Sequence, residues 1–269
     1  PLARRGGGGG RGAGRGARGA AALLAWTRLY RPLRLLKRPY SVVEVRKELG
    51  RAWTLVLEPD GHEGIAFHGG QFAWVAIDQP PYHIDTHPFS FASSSARPGR
   101  VEFTIKELGD FTSRIGAARV GARAYVDGPY GNFTLDPGDT GAVFIAGGVG
   151  VTPALSILLS MRVAGDARPA WLLYAVRSPE TAIRSEELEE LRSAGRLTLN
   201  YLFEEPPPGF EGESGLLRAE VLDRVLPTHA PRLKYFICGP APMMDVAELL
   251  LRQRGVPGSA IRTERFNMA

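Results

Sequence analysis

Cysteine is almost missing from this chain: Cys238 is the only one in 269 residues. A single thiol cannot close a disulfide within the chain, nor supply an iron–sulfur cluster or a Cys-type zinc site. Histidine is also scarce, five residues without close pairing, so no metal site is assigned. A reducing compartment fits this usage. Acid is absent from one stretch. Residues 1–40 hold ten Arg or Lys and no Asp or Glu, so the chain's +5 becomes −5 for residues 41–269 once those ten are set aside. The basic excess therefore belongs to an N-terminal arm, and the body is mildly acidic. An unbroken membrane-spanning run is lacking too. Thr140–Met161 carries no charge, but three glycines and Pro153 interrupt it, and its period changes from strand-like to helix-like at the glycines.

What is present reads as an ordinary globular protein, 44% hydrophobic and 23% charged, long enough for two domains. Arg and Gly alternate through Gly19, a low-complexity pattern expected to be disordered. Such an arm can bind nucleic acid. Leu23 to Tyr40, however, interleaves leucines, Trp26 and Tyr30 with basic residues. That suits the inner face of a membrane, where bases meet anionic lipid and aromatics sit at the interface. A cytoplasmic location at that face, with residues 1–40 touching the lipid, is the expectation. The chain opens on proline, so it is expected to be a piece of a longer polypeptide.

From Tyr40 the rhythm is of short strands between turns: Tyr40–Glu48, Trp53–Glu58, Gln71–Ile77, His87–Ser93, Val101–Lys106 and Ala122–Val126. Six strands in so short a span predict a small antiparallel barrel. After Pro137-Gly138 strands and helices alternate. The strands are Ala142–Ile145, Ala170–Val176, Arg196–Phe203, Leu233–Cys238 and Ala260–Glu264; the helices are Pro153–Val163, Ser185–Ala194, Leu216–Leu226 and Pro240–Arg254. This predicts a doubly wound parallel α/β domain. The organisation expected is a basic segment 1–39, a barrel 40–138 and an α/β domain 139–269.

Val143 to Pro153, VFIAGGVGVTP, is the most informative stretch. A β-branched and aromatic run ends in Gly147-Gly148-Val149-Gly150, and an apolar helix follows. Thr152 is the expected N-cap and Pro153 the first helical residue. First-turn N–H groups lack internal partners and the helix dipole adds positive charge there, so the turn suits a pyrophosphate. Pro153 stands where a third glycine of the dinucleotide fingerprint is expected, and a buried crossover has the same pattern. Val176-Arg177-Ser178 ends the second strand, where an acid often meets the ribose hydroxyls. Arg177 offers instead a charge-assisted fork for a 2′-phosphate, Ser178 a donor beside it, and Arg184 a helper. That favours NADPH, with NADH as the second choice.

Four motifs occur in order: His87-Pro88-Phe89-Ser90, Gly128-Pro129-Tyr130-Gly131, the glycine turn, and Cys238-Gly239-Pro240. A barrel ahead of an α/β domain with these landmarks resembles the ferredoxin–NADP reductase family over residues 40–269. Within it, His-Pro-Phe-Ser looks most like the flavoprotein part of ferric reductases and NADPH oxidases.

The resemblance implies an FAD-binding barrel. Phe89 would lie on the isoalloxazine, Ser90 would hydrogen-bond near N5, and His87, with Pro88 beside it, would take the place of a pyrophosphate-binding arginine. Lys106 to Ile115 (KELGDFTSRI) resembles the second flavin element, in which Gly109, Phe111 and Thr112 would offer N–H groups and a hydroxyl, and Lys106 a charge. Gly70-Gln71-Phe72 matches a structural turn, and Tyr130 would pack. Gly147, Gly148, Gly150 and Thr152 would hold the dinucleotide pyrophosphate. Cys238, Gly239 and Pro240 would lie beside the nicotinamide, although a lone thiol at a strand end can equally be a small buried hydrophobe. Glu264 and Phe266 would approach the flavin, and Phe266 is not terminal because Asn267, Met268 and Ala269 follow. The implied activity is transfer of a hydride from NADPH to FAD and then of single electrons to an acceptor. A membrane haem or ferric iron is the favoured acceptor, ahead of a soluble ferredoxin or flavodoxin; nucleic acid is the least favoured partner.

Overall fold

The computed structural model describes residues 30–80 and 86–266. The Arg/Gly arm, Leu23 to Leu29 with Trp26, and the last three residues lie outside the described residues. A short helix α1 (Arg31–Leu36) leads into six strands: β1 (Tyr40–Glu48), β2 (Ala52–Pro59), β3 (Phe72–Ile77), β4 (His87–Ser90), β5 (Val101–Lys106) and β6 (Arg123–Tyr130). They form one antiparallel sheet ordered β4-β3-β6-β1-β2-β5. An isolated bridge from Phe91, just past β4, to Phe103 on β5 joins the two edges and curls the sheet into a barrel. Alternate residues point inward, as a pleated strand requires. Val101, Phe103 and Ile105 meet Leu55, Leu57, Val42 and Val75 in a single core.

The second half is a parallel six-stranded sheet. Its strands are β7 (Gly141–Gly147), β8 (Ala170–Val176), β9 (Thr198–Phe203), β10 (Glu213–Ser214), β11 (Leu233–Cys238) and β12 (Ile261–Glu264), in the order β10-β9-β8-β7-β11-β12. The helices are α2 (Val151–Ala164), α3 (Ser185–Ser193), α4 (Ala219–Val225) and α5 (Ala241–Gln253). Both faces of the sheet are covered. Ala142, Phe144 and Ala146 meet Leu155 of α2 and Leu188 of α3 on one side; Val143 and Ile145 meet Val221 of α4 and Met244 of α5 on the other. That double burial is why the central strands β7 and β8 read as continuous apolar runs. The antiparallel barrel followed by a doubly wound α/β domain is thus the fold the sequence predicts.

Three local expectations shift. The helix after the glycine turn begins at Val151, because Gly148–Gly150 already forms a tight 3-10 turn. Thr152 is consequently not its N-cap: its hydroxyl donates back to the Val149 carbonyl at 3.0 Å. The helix expected from Leu216 starts only at Ala219, after the strand residues Glu213–Ser214 and Gly215, whose φ is +85°.

Candidate active site

The chain leaves β7 to build β8 and β9 outward, then returns to lay β11 on the other side of β7. The crevice beyond the carboxyl ends of β7 and β11 is the switch point where α/β sheets collect ligands. The glycine turn and Cys238-Gly239-Pro240 meet there, and their closeness explains most of the glycines. A Cβ on Gly147 would sit 2.7 Å from Pro240, one on Gly239 would sit 2.8 Å from the Gly147 nitrogen, and one on Gly150 would overlap the Cys238 carbonyl. Gly148 differs. Its φ of +53° favours glycine, and a Cβ there would meet nothing within 4 Å. Of the four, only Gly148 has open space where a Cβ would stand; Gly150 and Gly239 are pressed by backbone, and Gly147 by the Pro240 ring and the Met243 side chain.

Across the crevice stands the barrel. A cavity of about 610 Å³ is lined on the barrel side by β4 residues His87 to Ser90, by Lys106, and by Gly109, Phe111 and Thr112. The α/β domain contributes Gly147, Gly148, Gly150 and Thr152, then Cys238, Gly239 and Pro240, with Phe266 at one end. Two sequence-distant halves are therefore one site. The His87 ring stacks on Phe111 at 4.3 Å, and Phe111 lies nearly parallel to Phe89, centroids 6.2 Å apart. In the following turn, the Leu108 and Gly109 N–H groups both donate to the Thr112 hydroxyl, at 2.8 and 2.9 Å, and that hydroxyl donates to the Gly109 carbonyl. This corrects the expectation that Gly109 and Thr112 offer these groups to a pyrophosphate: the turn satisfies itself with them. Arg114 and Thr104 line the same cavity and were missed in the sequence; Arg114 lies within the element 106–115 and its charge was the available signal.

Two polar atoms in this region are enclosed without a partner among the described residues: Ser90 Oγ and Glu264 Oε2. An orphaned buried donor or acceptor is costly; Ser90 lines the cavity, whereas Glu264 is not among the residues that line it. Ser90 is 5% exposed. Glu264 pairs in register with Cys238 across β11 and β12, with Oε1 against Gly131, where a Cβ would lie 3.1 Å away. Burial pushes the Glu264 carboxyl up to about 8. The Cys238 thiol is pushed above its usual range, by burial first and the nearby Glu264 second, so it is a neutral thiol rather than a nucleophilic thiolate. Phe266 packs edge-on to Phe72, 6.0 Å between centroids. Tyr130 binds Asp127 at 3.2 Å and carries the Arg31 guanidinium over its ring, and Gln71 donates to the Gly131 carbonyl at 3.2 Å.

Arg177 and Ser178 lie outside the cavity, at the end of β8. Arg177 is exposed and held by Glu205 Oε1, at 2.9 Å from Nε and 2.8 Å from Nη2. The Ser178 hydroxyl hydrogen-bonds the Glu180 carboxylate and helps hold it below the usual range. Arg184 is not a helper at a 2′-phosphate. It is buried and reaches the barrel, where Glu102 Oε2 accepts its Nη1 at 2.9 Å.

The residues fit a flavin lying against the barrel and a dinucleotide over the glycine turn: the unpartnered Ser90 hydroxyl, the ring of Phe89, and the open space at Gly148 supply the donor, the flat surface and the close approach such groups need. Residues 62–134 match the model of an FAD-binding domain, and residues 144–248 that of an oxidoreductase NAD-binding domain. The reductase component of propane 2-monooxygenase from Rhodococcus jostii is 33% identical over 223 residues, covering 78% of this chain and 57% of that protein. Ferredoxin--NADP reductase B from Sorangium cellulosum is 30% identical over 210 residues, 75% of this chain and 86% of that one. Among solved structures, the ferredoxin reductase in carbazole 1,9a-dioxygenase superposes with a TM-score of 0.71 at 28% identity, over 85% of this chain and 69% of that one. The cytochrome b5 reductase domain of Ulva prolifera nitrate reductase shares the fold, TM-score 0.75 at 21% identity, over 86% and 98%. The chain spans less than two-thirds of the length of the monooxygenase reductase components and the cytochrome b5 reductases that it matches.

Proposed function

The chain belongs to the ferredoxin–NADP reductase family of flavoproteins, with FAD and NAD(P)H as its cofactors, and from that premise we propose that it takes reducing equivalents from NAD(P)H and passes electrons to an acceptor. One observation carries the reading: a single cavity of about 610 Å³ is walled by β4 and the 106–114 element on one side and by the glycine turn and Cys238-Gly239 on the other. When bound, the flavin takes a hydride from the nicotinamide and releases single electrons, chemistry that belongs to the cofactors. The chain's own task is to place two rings in near-attack contact, which supplies several kcal/mol of the rate.

Each residue then has a part. Phe89 would offer a flat apolar surface to one side of the flavin, and the unpartnered Ser90 hydroxyl would donate a hydrogen bond to it. His87, Lys106 and Arg114 line the barrel wall where phosphate charge would lie. Gly148 lets phosphate approach the main chain at a helix N-terminus. Cys238, neutral and buried, keeps a small polarisable wall beside the nicotinamide, and Glu264, protonated near neutral pH, holds a proton beside it. Phe266 shields the end of the cavity from water. Arg177, once released by Glu205, reads a 2′-phosphate and favours NADPH; Glu205 opposes that choice, so NADH also serves.

The acceptor reading rests on the N-terminal segment. In its described part, exposed Tyr30, Leu33 and Leu36 stand among Arg31, Arg34 and Lys37. No described helix is long and apolar enough to cross a membrane. A one-electron acceptor at a membrane surface, haem or ferric iron, is the reading this composition supports; a soluble ferredoxin is the alternative that the Sorangium relative's name supports. The test is an absorbance spectrum of the purified protein followed by anaerobic titration with NADPH and NADH. Flavin bands that bleach support the function, and a colourless protein that takes up no flavin refutes it. Reduction of liposome-bound haem against soluble ferredoxin then separates the acceptors.

A further inference from the structure

Arg184 is the least expected charged residue of the chain. It is 5% exposed, it has a left-handed backbone with φ +56°, and it lies between the 3-10 turn at 179–181 and α3. A residue with a side chain adopts that conformation uncommonly, and here several contacts hold it. Its Nε donates to Glu187 Oε1 at 2.6 Å, and its Nη1 crosses the seam to Glu102 Oε2 at 2.9 Å and Thr104 Oγ1 at 3.2 Å. Glu102 and Thr104 are two apart on β5 and so share a face of that barrel strand. Among the described residues, Arg184–Glu102 is the one ion pair that joins the barrel to the α/β domain. Other polar ties across the seam include Ser156 Oγ to the Ser93 carbonyl at 2.7 Å, Gly50 N–H to the Glu180 carbonyl at 3.1 Å and Arg168 Nη1 to the Asp136 carbonyl at 2.7 Å.

Arg184 is anchored at both ends. On the barrel side, Glu102 also receives Arg46 at 3.4 Å, and Thr104 shares a hydrogen bond with Thr54 at 2.8 Å. On the other side, the preceding carbonyl, that of Ile183, faces the hydroxyl of Tyr174 at 3.3 Å, and the same hydroxyl donates to the Gly148 carbonyl at 3.0 Å. Tyr174 is wholly buried on β8, so its phenol has no water to turn to. A continuous polar path therefore runs from Glu102 on the barrel through Arg184 and Tyr174 to Gly148 in the cavity wall.

We propose that Arg184 is a positioning residue: it locks the barrel against the α/β domain and, through Ile183 and Tyr174, sets the height of the Gly148 carbonyl and the turn above it. It touches neither cofactor. Its work is to keep the flavin wall and the glycine turn at one separation, because a misplacement of about 1 Å costs reaction rate on the order of a hundredfold. The rate consequence rests on the function proposed above; the mechanical coupling does not.

The experiment is amide hydrogen exchange on the full chain, reading peptides that cover 147–151 and, as internal reference, β1 and β2. The variants are Arg184→Met, Arg184→Lys, Glu102→Gln and Tyr174→Phe. Local opening of the glycine turn is expected to rise about tenfold in Arg184→Met and Tyr174→Phe, with β1 and β2 unchanged. Arg184→Lys should recover part of the protection, because the charge stays while the fork is lost. Glu102→Gln, a change on the other domain, should loosen the same turn in the same direction. In parallel, the long-wavelength band of reduced nicotinamide stacked on oxidised flavin should weaken, while binding of 2′-AMP, which has no 5′-phosphate to meet the glycine turn, stays within about twofold, since Arg177 and Ser178 lie outside the cavity. Wild-type exchange at 147–151 in Tyr174→Phe and Glu102→Gln overturns the proposal, and these two decide the matter if Arg184→Met fails to fold. A wild-type protein that shows no flavin band but keeps the exchange pattern refutes the function and leaves the coupling intact.

Discussion

Replacing Glu264 by Gln should flatten the pH dependence of stability. Burial pushes the folded carboxyl up to about 8, from an ordinary value of 4.5. The folded protein therefore binds a proton that the unfolded chain has already released, and stability falls as pH rises between the two values. It is fully present below 4.5, and the loss is complete above about 8. Each unit between the two values corresponds to about 1.4 kcal/mol, so moving from pH 5 to pH 8 removes about 3.5 kcal/mol. Cys238 adds nothing in this window, because its thiol is displaced upward. Urea unfolding at pH 5, 6.5 and 8, extrapolated linearly to water, measures the difference between wild type and Glu264→Gln at matched flavin content. The slopes matter rather than the absolute values, since the Gln amide brings donors of its own. Parallel pH profiles for the two proteins would show that the carboxyl is already ionised in the fold, and the argument from its unpartnered Oε2 would fail with it.

The other expectations concern single contacts. Ser90→Ala should slow flavin bleaching by NAD(P)H about ten- to a hundredfold while FAD stays bound, and should leave flavin-free stability unharmed, because Oγ has no partner to lose; unchanged bleaching in stopped flow removes its role. Glu205→Gln frees Arg177 from an exposed surface pair, so NADPH binding should tighten by about twofold to fivefold and NADH binding stay put in equilibrium titrations. Equal tightening of both would mean that Arg177 does not select. Gly150→Ala drives a Cβ into the Cys238 carbonyl and should cost about 1–3 kcal/mol, read as a lowered melting temperature. Gly148→Ala meets no neighbour and should cost about 1–2 kcal/mol, from its left-handed backbone alone. Equal melting of wild type and Gly150→Ala would contradict the close approach of the two turns.

Much of the fold was legible because the two domains announce themselves by period. Tyr40–Glu48 and Val101–Lys106 alternate, and the central strands β7 and β8 of the second sheet are buried on both faces and so are apolar throughout. Tight turns rich in Gly and Pro punctuate both, which is local chemistry that a sequence displays. Helix starts were less legible. Thr152 has the composition of a cap, but the 3-10 turn at 148–150 forms the first turn before it, a choice made by the packing of Gly150 on Cys238.

The candidate site divides the same way. His87 to Ser90, the glycine turn and Cys238 to Pro240 are short motifs whose residue types carry their own chemistry, and the sequence alone marks them and their order. It could not show that Gly147, Gly150 and Gly239 are glycine because two turns press on each other, nor that Arg177 is held by Glu205. It could not show that Thr112 caps its own turn, or that Arg184 points into the barrel. Those are contacts between residues far apart in the chain, or competitions among several partners within reach. Local propensity determines which groups a segment carries; only the closed tertiary fold decides which of those groups are already spent on the protein and which remain free for a ligand.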